Sequence, residues 1–171
     1  MLPTLPTLFG GNVNGLPNKT HEFAIRIGIE NCDIAWVTET KIVDHPKSFF
    51  EVDNFSFHPQ NRPEDCPRGQ EGGGVAAWIK SSWCSQVQDL SKDFGTNTLP
   101  EGQLLVLKLR PFRLPREYKC MWLFIFYFPE NNAAGKTCMR KLNTAYHAAL
   151  QHGPDSLCIL AGDTNRIDTS G

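Results

Sequence analysis

The chain is punctuated by short apolar runs rich in β-forming residues, and this pattern restricts it to a fold built on sheets. Asp33–Thr38, Gly74–Lys80, Gln103–Arg110, Tyr118–Phe128 and Ser156–Ala161 are such runs. Bounded by Gly, Pro, Asn, Asp and Ser, they read as five strands. One segment has a different period. Between Lys136 and His152, Met139, Leu142, Tyr146 and Ala149/Leu150 recur three and four residues apart, and Gly153-Pro154 follows as a stop signal, which predicts an amphipathic helix. Strands interleaved with a helix of this kind predict a layered α/β protein. Thr20 to Asn31 carries two patterns: Phe23, Ile25, Ile27 and Ile29 alternate as in a strand, whereas Phe23, Ala24 and Ile27 form a helical stripe, and alternation alone favours the strand.

With 171 residues, 40% hydrophobic and 20% charged, the chain has material for one domain with its own core and is short for two. Pro59 to Gly73 and Ser91 to Gly102, rich in Gly, Pro and polar residues, are expected to be surface loops within that domain. The formal charge of −1 gives no overall attraction to nucleic acid, so any such binding must come from local basic patches. The six cysteines, at 32, 66, 84, 120, 138 and 158, include no C-x-x-C pair and none at zinc-finger spacing from a histidine, which argues against zinc. Cys32, Cys120 and Cys158 lie in or beside apolar runs, as reduced core residues of an intracellular protein do. The opening Met1-Leu-Pro-Thr-Leu-Pro lacks a basic n-region and has prolines where a signal peptide needs an apolar stretch. No run approaches the length of a membrane helix.

Four short sites place an oxygen-bearing side chain at, or just past, the end of an apolar run. They are Asn12-Val-Asn14-Gly-Leu, Thr38-Glu39-Thr40, Tyr127-Phe-Pro129 and Gly162-Asp163-Thr-Asn165. In α/β folds, side chains beyond the strand ends converge on one edge, where ligands bind. Glu39 and Asp163 could supply the one or two carboxylates that Mg²⁺ commonly takes from a protein. Phosphodiester hydrolysis also needs an oriented water and neutral donors, and Asn14, Asn165 and Tyr127 are of the right type. Each site has an ordinary structural reading as well: Asn before Gly is commonly a turn residue, Thr-Glu-Thr a strand exit or helix cap, Tyr a core residue, and Gly-Asp-x-Asn a turn.

Taken in order, NVNGL with Asn14, DIAWVTET with Glu39, RGQEGGGVAAWIK, FIFYFPE with Tyr127, and LAGDTN with Asp163 and Asn165 resemble the motifs of the endonuclease/exonuclease/phosphatase superfamily, over roughly residues 12 to 166. The TET, GGGVA and Tyr-x-Pro wording is most similar to the endonuclease domains of non-LTR (LINE-type) retrotransposons. The resemblance implies a four-layer α/β sandwich of the deoxyribonuclease-like type, incomplete at its C-terminal end, and makes residues 20 to 31 a helix, the reading adopted. It divides the chain into an irregular segment, 1–11, where Pro and two Gly make a poor strand, and a partial domain, 12–171. It implies that Asn14 and Glu39 help hold Mg²⁺, with Mn²⁺ as a substitute, that Tyr127 lies beside the scissile phosphate, that Asp163 orients or activates the attacking water, and that Asn165 hydrogen-bonds the phosphate.

The reaction so implied is nicking of one DNA strand, which in such retrotransposons primes reverse transcription. DNA is then the partner, with a reverse transcriptase domain in a longer parent chain, no membrane and no small-molecule cofactor, and the setting is intracellular and, for a functional protein, nuclear. Arg62, Arg68, Lys136, Arg140 and Lys141 are candidates for the DNA backbone, since Arg and Lys hold strand phosphates; their ordinary reading is solvated surface. The pattern of the family continues into a late Ser-Asp-His-like motif with no counterpart before Gly171. His147 and His152 precede the Gly-Asp site and cannot stand for it. The expectation is therefore of a chain nearly inactive alone, with an open sheet edge. Two other readings stay open: another phosphoesterase or abasic-site endonuclease of the superfamily, and a non-catalytic remnant.

Overall fold

A computed structural model describes residues 5–42, 45–62, 72–99, 102–128 and 133–165. Eight strands are present among them: β1 (Leu8–Asn12), β2 (Ile34–Thr38), β3 (Phe55–Gln60), β4 (Val75–Lys80), β5 (Gln86–Asp89), β6 (Gln103–Arg110), β7 (Cys120–Tyr127) and β8 (Ser156–Asp163). The helices are α1 (Thr20–Glu30) and α2 (Ala133–His152). The strands form two four-stranded mixed sheets, ordered β1-β2-β4-β3 and β5-β6-β7-β8. In each sheet a parallel pair lies at one side, β1 with β2 and β7 with β8.

Alternation of side chains across the strands builds the layers. Ile34, Val75, Ala77 and Ile79 of the first sheet meet Leu105, Leu107, Leu123 and Ile125 of the second, forming the core between the sheets. The outer face of the first sheet, with Ala35, Val37, Ala76 and Trp78, packs on Phe23 and Ile27 of α1. The outer face of the second, with Val106, Trp122, Phe124 and Phe126, packs on Cys138, Leu142, Ala145 and Ala149 of α2. The result is the expected four-layer sandwich, with the largest fully buried side chains, Trp78 and Trp122, each buried under a helix. Trp78 keeps its indole N–H satisfied by Phe50 O at 2.8 Å, as a buried polar group must.

All five strands read from the sequence are present, and β8 runs two residues further, to Asp163. Thr20 to Asn31 is helical, not extended. Its buried side chains, Phe23 and Ile27, are four apart on one face, while Ile25 and Ile29 are 50% and 71% exposed. The N-terminal segment corrects the sequence reading: residues 8–12 are not irregular but form an edge strand in parallel register with β2, Asn12 opposite Thr38. Glycine is required there, since a Cβ on Gly10 would lie 2.2 Å from the carbonyl oxygen of Trp36 and 2.7 Å from its ring. β3 and β5 were also not foreseen. β3 takes in Pro59 and Gln60, which the sequence assigned to a loop, and an edge strand tolerates a proline. The loop at 91–99 is less superficial than expected, with Thr96 and Leu99 buried and Gln60 Nε2 donating to Thr96 O at 2.9 Å.

Candidate active site

The parallel pairs bring the C-terminal ends of β1, β2, β7 and β8 to the same end of the sandwich. Register sets Asn12 against Thr38 in one sheet and Tyr127 against Asp163 in the other. The side-chain amide of Asn12 joins them: Nδ2 donates to Glu39 Oε1 at 2.9 Å and to Asp163 Oδ2 at 3.1 Å, the second bond spanning 151 residues of sequence. The two acceptor oxygens are therefore no more than about 6 Å apart.

Two stretches hold Glu39 in place. Beyond the β1–β2 ladder, Val13, Gly15 and Leu16 donate to the carbonyls of Thr38, Glu39 and Thr40. On the other side, Thr40 and Lys41 donate to the carbonyls of Gly74 and Gly73. Glu39 and Lys41 both adopt left-handed backbone, φ 55° and 50°, an arrangement that costs a non-glycine residue about 1–3 kcal/mol and persists where the surroundings enforce it. The glycine run has the same origin. Gly74 has φ +85°, and a Cβ on it would come 2.1 Å from Thr40 Oγ1. Gln103, fully buried, accepts the Gly74 N–H at 2.8 Å and props the turn from the second sheet.

Asp163 is fixed by its own turn. Oδ1 accepts the Asn165 N–H at 2.7 Å, leaving Oδ2 for Asn12, and Asn165 Nδ2 donates to Phe128 O. Tyr127 completes the group. Burial, then the negative charge of Glu39, push its phenol up from the ordinary tyrosine range, its hydroxyl being bonded with both Glu39 and Asn165. A phenol so placed stays protonated at neutral pH and remains a donor.

The sequence-selected residues separate in this geometry. Glu39, Tyr127, Asp163 and Asn165 come together. Asn14 does not join them: it is a left-handed turn residue, φ 46°, whose Oδ1 is bonded to Lys41 Nζ and whose N–H donates to Asn12 Oδ1. Asn12, two residues earlier and on the strand, is the asparagine bonded to Glu39 and Asp163. Arg62 reaches the site, its guanidinium close to Gly72 and Gly73 and its charge acting on Tyr127. Lys136 and Arg140 are exposed on α2, and Lys141 Nζ lies beside Gly95. Arg68 lies outside the described residues. Lys41 was not singled out in the sequence, yet it lies 3.9 Å from Glu39 Oε2. A cleft of about 340 Å³ continues from Asn12 along the free side of β1 to α1, bordered by Lys19 and Arg26. No group of three or more His, Cys, Asp or Glu suited to a metal occurs among the described residues. The donors at this end are two carboxylates and amides, a set that suits a hard cation retaining its waters and not zinc.

No protein-family model matches the sequence, and no curated protein matches it. Solved structures do. TDP2 of D. rerio complexed with a single-strand DNA product superposes with a TM-score of 0.63 at 14% identity, over 95% of this chain and 61% of that one. The Xenopus laevis APE2 catalytic domain gives 0.66 at 19% identity, over 93% and 58%. ANGEL2, a 2',3'-cyclic phosphatase, in complex with adenosine-2',3'-vanadate, gives 0.66 at 14%, over 96% and 55%. The chain thus spans about six-tenths of the length of these structures. All three belong to the endonuclease/exonuclease/phosphatase superfamily, and the chain described here has their deoxyribonuclease-like fold.

Proposed function

We propose that this chain carries the catalytic end of a Mg²⁺-dependent phosphodiesterase that nicks DNA, in the manner of the endonuclease that opens a target for reverse transcription by a non-LTR retrotransposon. The observation that carries the reading is the Asn12 amide bridging Glu39 and Asp163 from two different sheets. Glu39, Asp163 and the Asn12 carboxamide would hold the cation, Mg²⁺ or Mn²⁺, with Asn12 taking the role first assigned to Asn14. Bound there, the cation would neutralise charge developing on the phosphate.

The remaining chemistry belongs to side chains. Asp163, anchored through one oxygen by Asn165 N–H, would orient the attacking water with its carboxylate; the water gives its proton to solvent as its oxygen bonds to phosphorus. The P–O3′ bond breaks, the leaving 3′-oxygen takes up a proton from solvent, and the nick is left with a 3′-hydroxyl facing a 5′-phosphate. Tyr127, kept protonated by burial and by Glu39, donates to a phosphate oxygen, as does Asn165. Arg62, Lys19 and Arg26 border the site with positive charge for the flanking phosphates. In this reading the partner domain is a reverse transcriptase in a longer parent chain, and the protein acts in the nucleus. The TDP2 structure with a single-strand DNA product supports a nucleic-acid substrate. The ANGEL2 complex supports a second reading, hydrolysis of a small cyclic phosphate at the same end.

Mn²⁺ titration and a supercoiled-plasmid nicking assay test the proposal together. Glu39→Gln and Asp163→Asn should each weaken Mn²⁺ binding and remove whatever Mg²⁺-dependent nicking the chain shows, and the nick should be extendable by a polymerase. Unchanged Mn²⁺ affinity in both variants would sink the site. Turnover of a 2',3'-cyclic nucleotide in preference to DNA would select the second reading.

A further inference from the structure

The end of the sandwich opposite the candidate active site carries a charge the rest of the chain does not. From Lys108 to Lys119 the sequence holds five basic residues, Lys108, Arg110, Arg113, Arg116 and Lys119, and one acidic residue, Glu117, in a chain of net charge −1. The segment is the C-terminal end of β6 and the turn into β7, so the antiparallel β6–β7 pairing sends it away from Tyr127 and Asp163. The length of β7 sets the separation at about 23 Å, seven steps of ~3.3 Å. That exceeds two Debye lengths at ordinary salt, so the two ends are electrostatically independent.

Four of these five basic residues line two clefts. The larger, about 470 Å³, lies on the outer face of the second sheet below the end of α2, between Lys108, Arg110, Lys119 and His152. Its one carboxylate, Asp155, is held by Lys119 at 2.8 Å. Lys108 Nζ is positioned over the Trp122 ring, 5.2 Å from the centroid. The smaller cleft lies beside Phe112, which is 62% exposed, and Trp83, whose buried indole N–H has no hydrogen-bond partner among the described residues. Lys80 and Arg113 line it together with Asp33. Cations alternating with an exposed aromatic ring suit a single strand: phosphates lie along the Lys and Arg side chains while a base stacks on the ring. A lipid surface needs a broader apolar face than one phenylalanine among charges.

We propose that this pole is a second nucleic-acid site, binding a single-stranded segment through Lys108, Arg110, Lys119 and Phe112 without acting on it. A chain with one strand at its catalytic end and another at the far pole would hold two segments at once.

Fluorescence anisotropy with a labelled mixed-sequence single-stranded oligonucleotide, in EDTA so that no cleavage occurs, tests the site apart from the catalytic reading. The intact chain should bind with a steep salt dependence. Arg110→Gln/Lys119→Gln should weaken binding about tenfold or more and reduce the slope of log affinity against log salt by about 1.4, roughly 0.7 for each phosphate no longer neutralised. Phe112→Ala should weaken it about tenfold by removing the stacking ring. Arg110, Phe112 and Lys119 are all exposed, so melting curves should match the parent. Absence of binding by the intact chain would overturn the proposal, as would wild-type affinity in both variants or binding to phosphatidylserine vesicles that the oligonucleotide does not displace. Loss of all binding with Lys19→Gln/Arg26→Gln and none with Arg110→Gln/Lys119→Gln would return the strand to the catalytic end and equally refute it.

Discussion

Asn12 and Asn14 stand two residues apart, and only alanine at Asn12 should weaken metal binding. Asn12→Ala removes two hydrogen bonds to ionised carboxylates, at 2.9 and 3.1 Å. Such bonds contribute about 1.5–3 kcal/mol each when desolvated. Asn12 is exposed, so the pair is discounted to about 2 kcal/mol in all. More important, the direct link between Glu39 and Asp163 across the sheets is lost. Losing such alignment typically costs a metal site about 10- to 100-fold in affinity. Asn14→Ala removes the hydrogen bond from Lys41 and places alanine in left-handed backbone, a cost of about 1–2 kcal/mol in stability, but leaves the carboxylates as they are. Thermal melts should therefore show both variants destabilised, while isothermal titration with Mn²⁺ shows only Asn12→Ala weakened. Equal or greater loss of Mn²⁺ affinity in Asn14→Ala, with Asn12→Ala unaffected, would refute the argument and return the role to Asn14.

Gly74→Ala should lower stability by about 3 kcal/mol or more, since φ +85° and a Cβ 2.1 Å from Thr40 Oγ1 act together; for a domain of this size that is roughly 6–12 °C in Tm, whereas Gly11→Ala, with open space at its Cβ, should leave Tm nearly unchanged. Glu39→Gln should lower the Tyr127 pKa towards the ordinary tyrosine range, because Glu39 raises it both by charge and by hydrogen bond; tyrosinate absorption, with Tyr127→Phe as reference, reads the shift, and no movement would contradict the contact. His58, lowered to about 4 first by burial and then by Lys47, against a smaller raising effect of Asp89, is neutral in the fold. Its unfolded form takes up a proton near pH 6.5, so its contribution to stability is full above that pH and is lost as pH falls towards 4, by about 3 kcal/mol at the lower limit; His58→Gln should flatten urea-derived stability over this window, and an unchanged slope would count against it. Asp163→Asn should raise Tm in EDTA while weakening Mn²⁺ binding, because it relieves one of two facing carboxylates; a lower Tm would show that the anion is needed for folding.

The strands that stood out most clearly in the sequence are those buried on both faces. β4, β6 and β7 are covered on each side, so nearly every residue is apolar and the runs stand out. β1, β3 and β5 are at sheet edges or half-exposed. Their sequences, LFGGN, FSFHPQ and QVQD, answer to local contacts instead: a glycine where Trp36 presses, a proline at an edge, polar residues towards solvent. The choice of Asn14 over Asn12 has the same root. With β1 unrecognised, nothing distinguished the asparagine ending a strand from the one turning before Gly15. Glu39 was legible because it follows the buried strand β2, and Asp163 because a Gly-Asp-x-Asn turn ends the apolar run of β8; Lys41 and Gln103 were not, because their contacts with Glu39 and Gly74 exist only once two sheets and a glycine turn have met.

The choice of a neutral amide to join Glu39 and Asp163 bears on what this end of the molecule is for. A lysine at position 12 would pair with both carboxylates and cancel charge; asparagine donates to both and cancels none. Lys41 offsets part of the excess, but at 3.9 Å from Glu39 Oε2 it is at the limit of an ion pair, with its ammonium turned to Asn14. The two carboxylates, with Arg62 nearby, thus face each other at the ends of two sheets that the apolar core of Ile34, Ile79, Leu123 and Ile125 holds together. Packing of that quality tolerates local repulsion and two left-handed residues in the Glu39 turn, and sites that bind and act are where such strain accumulates. An arrangement selected for stability alone would have neutralised the pair, whereas one that receives a cation and a phosphate has reason to leave it charged.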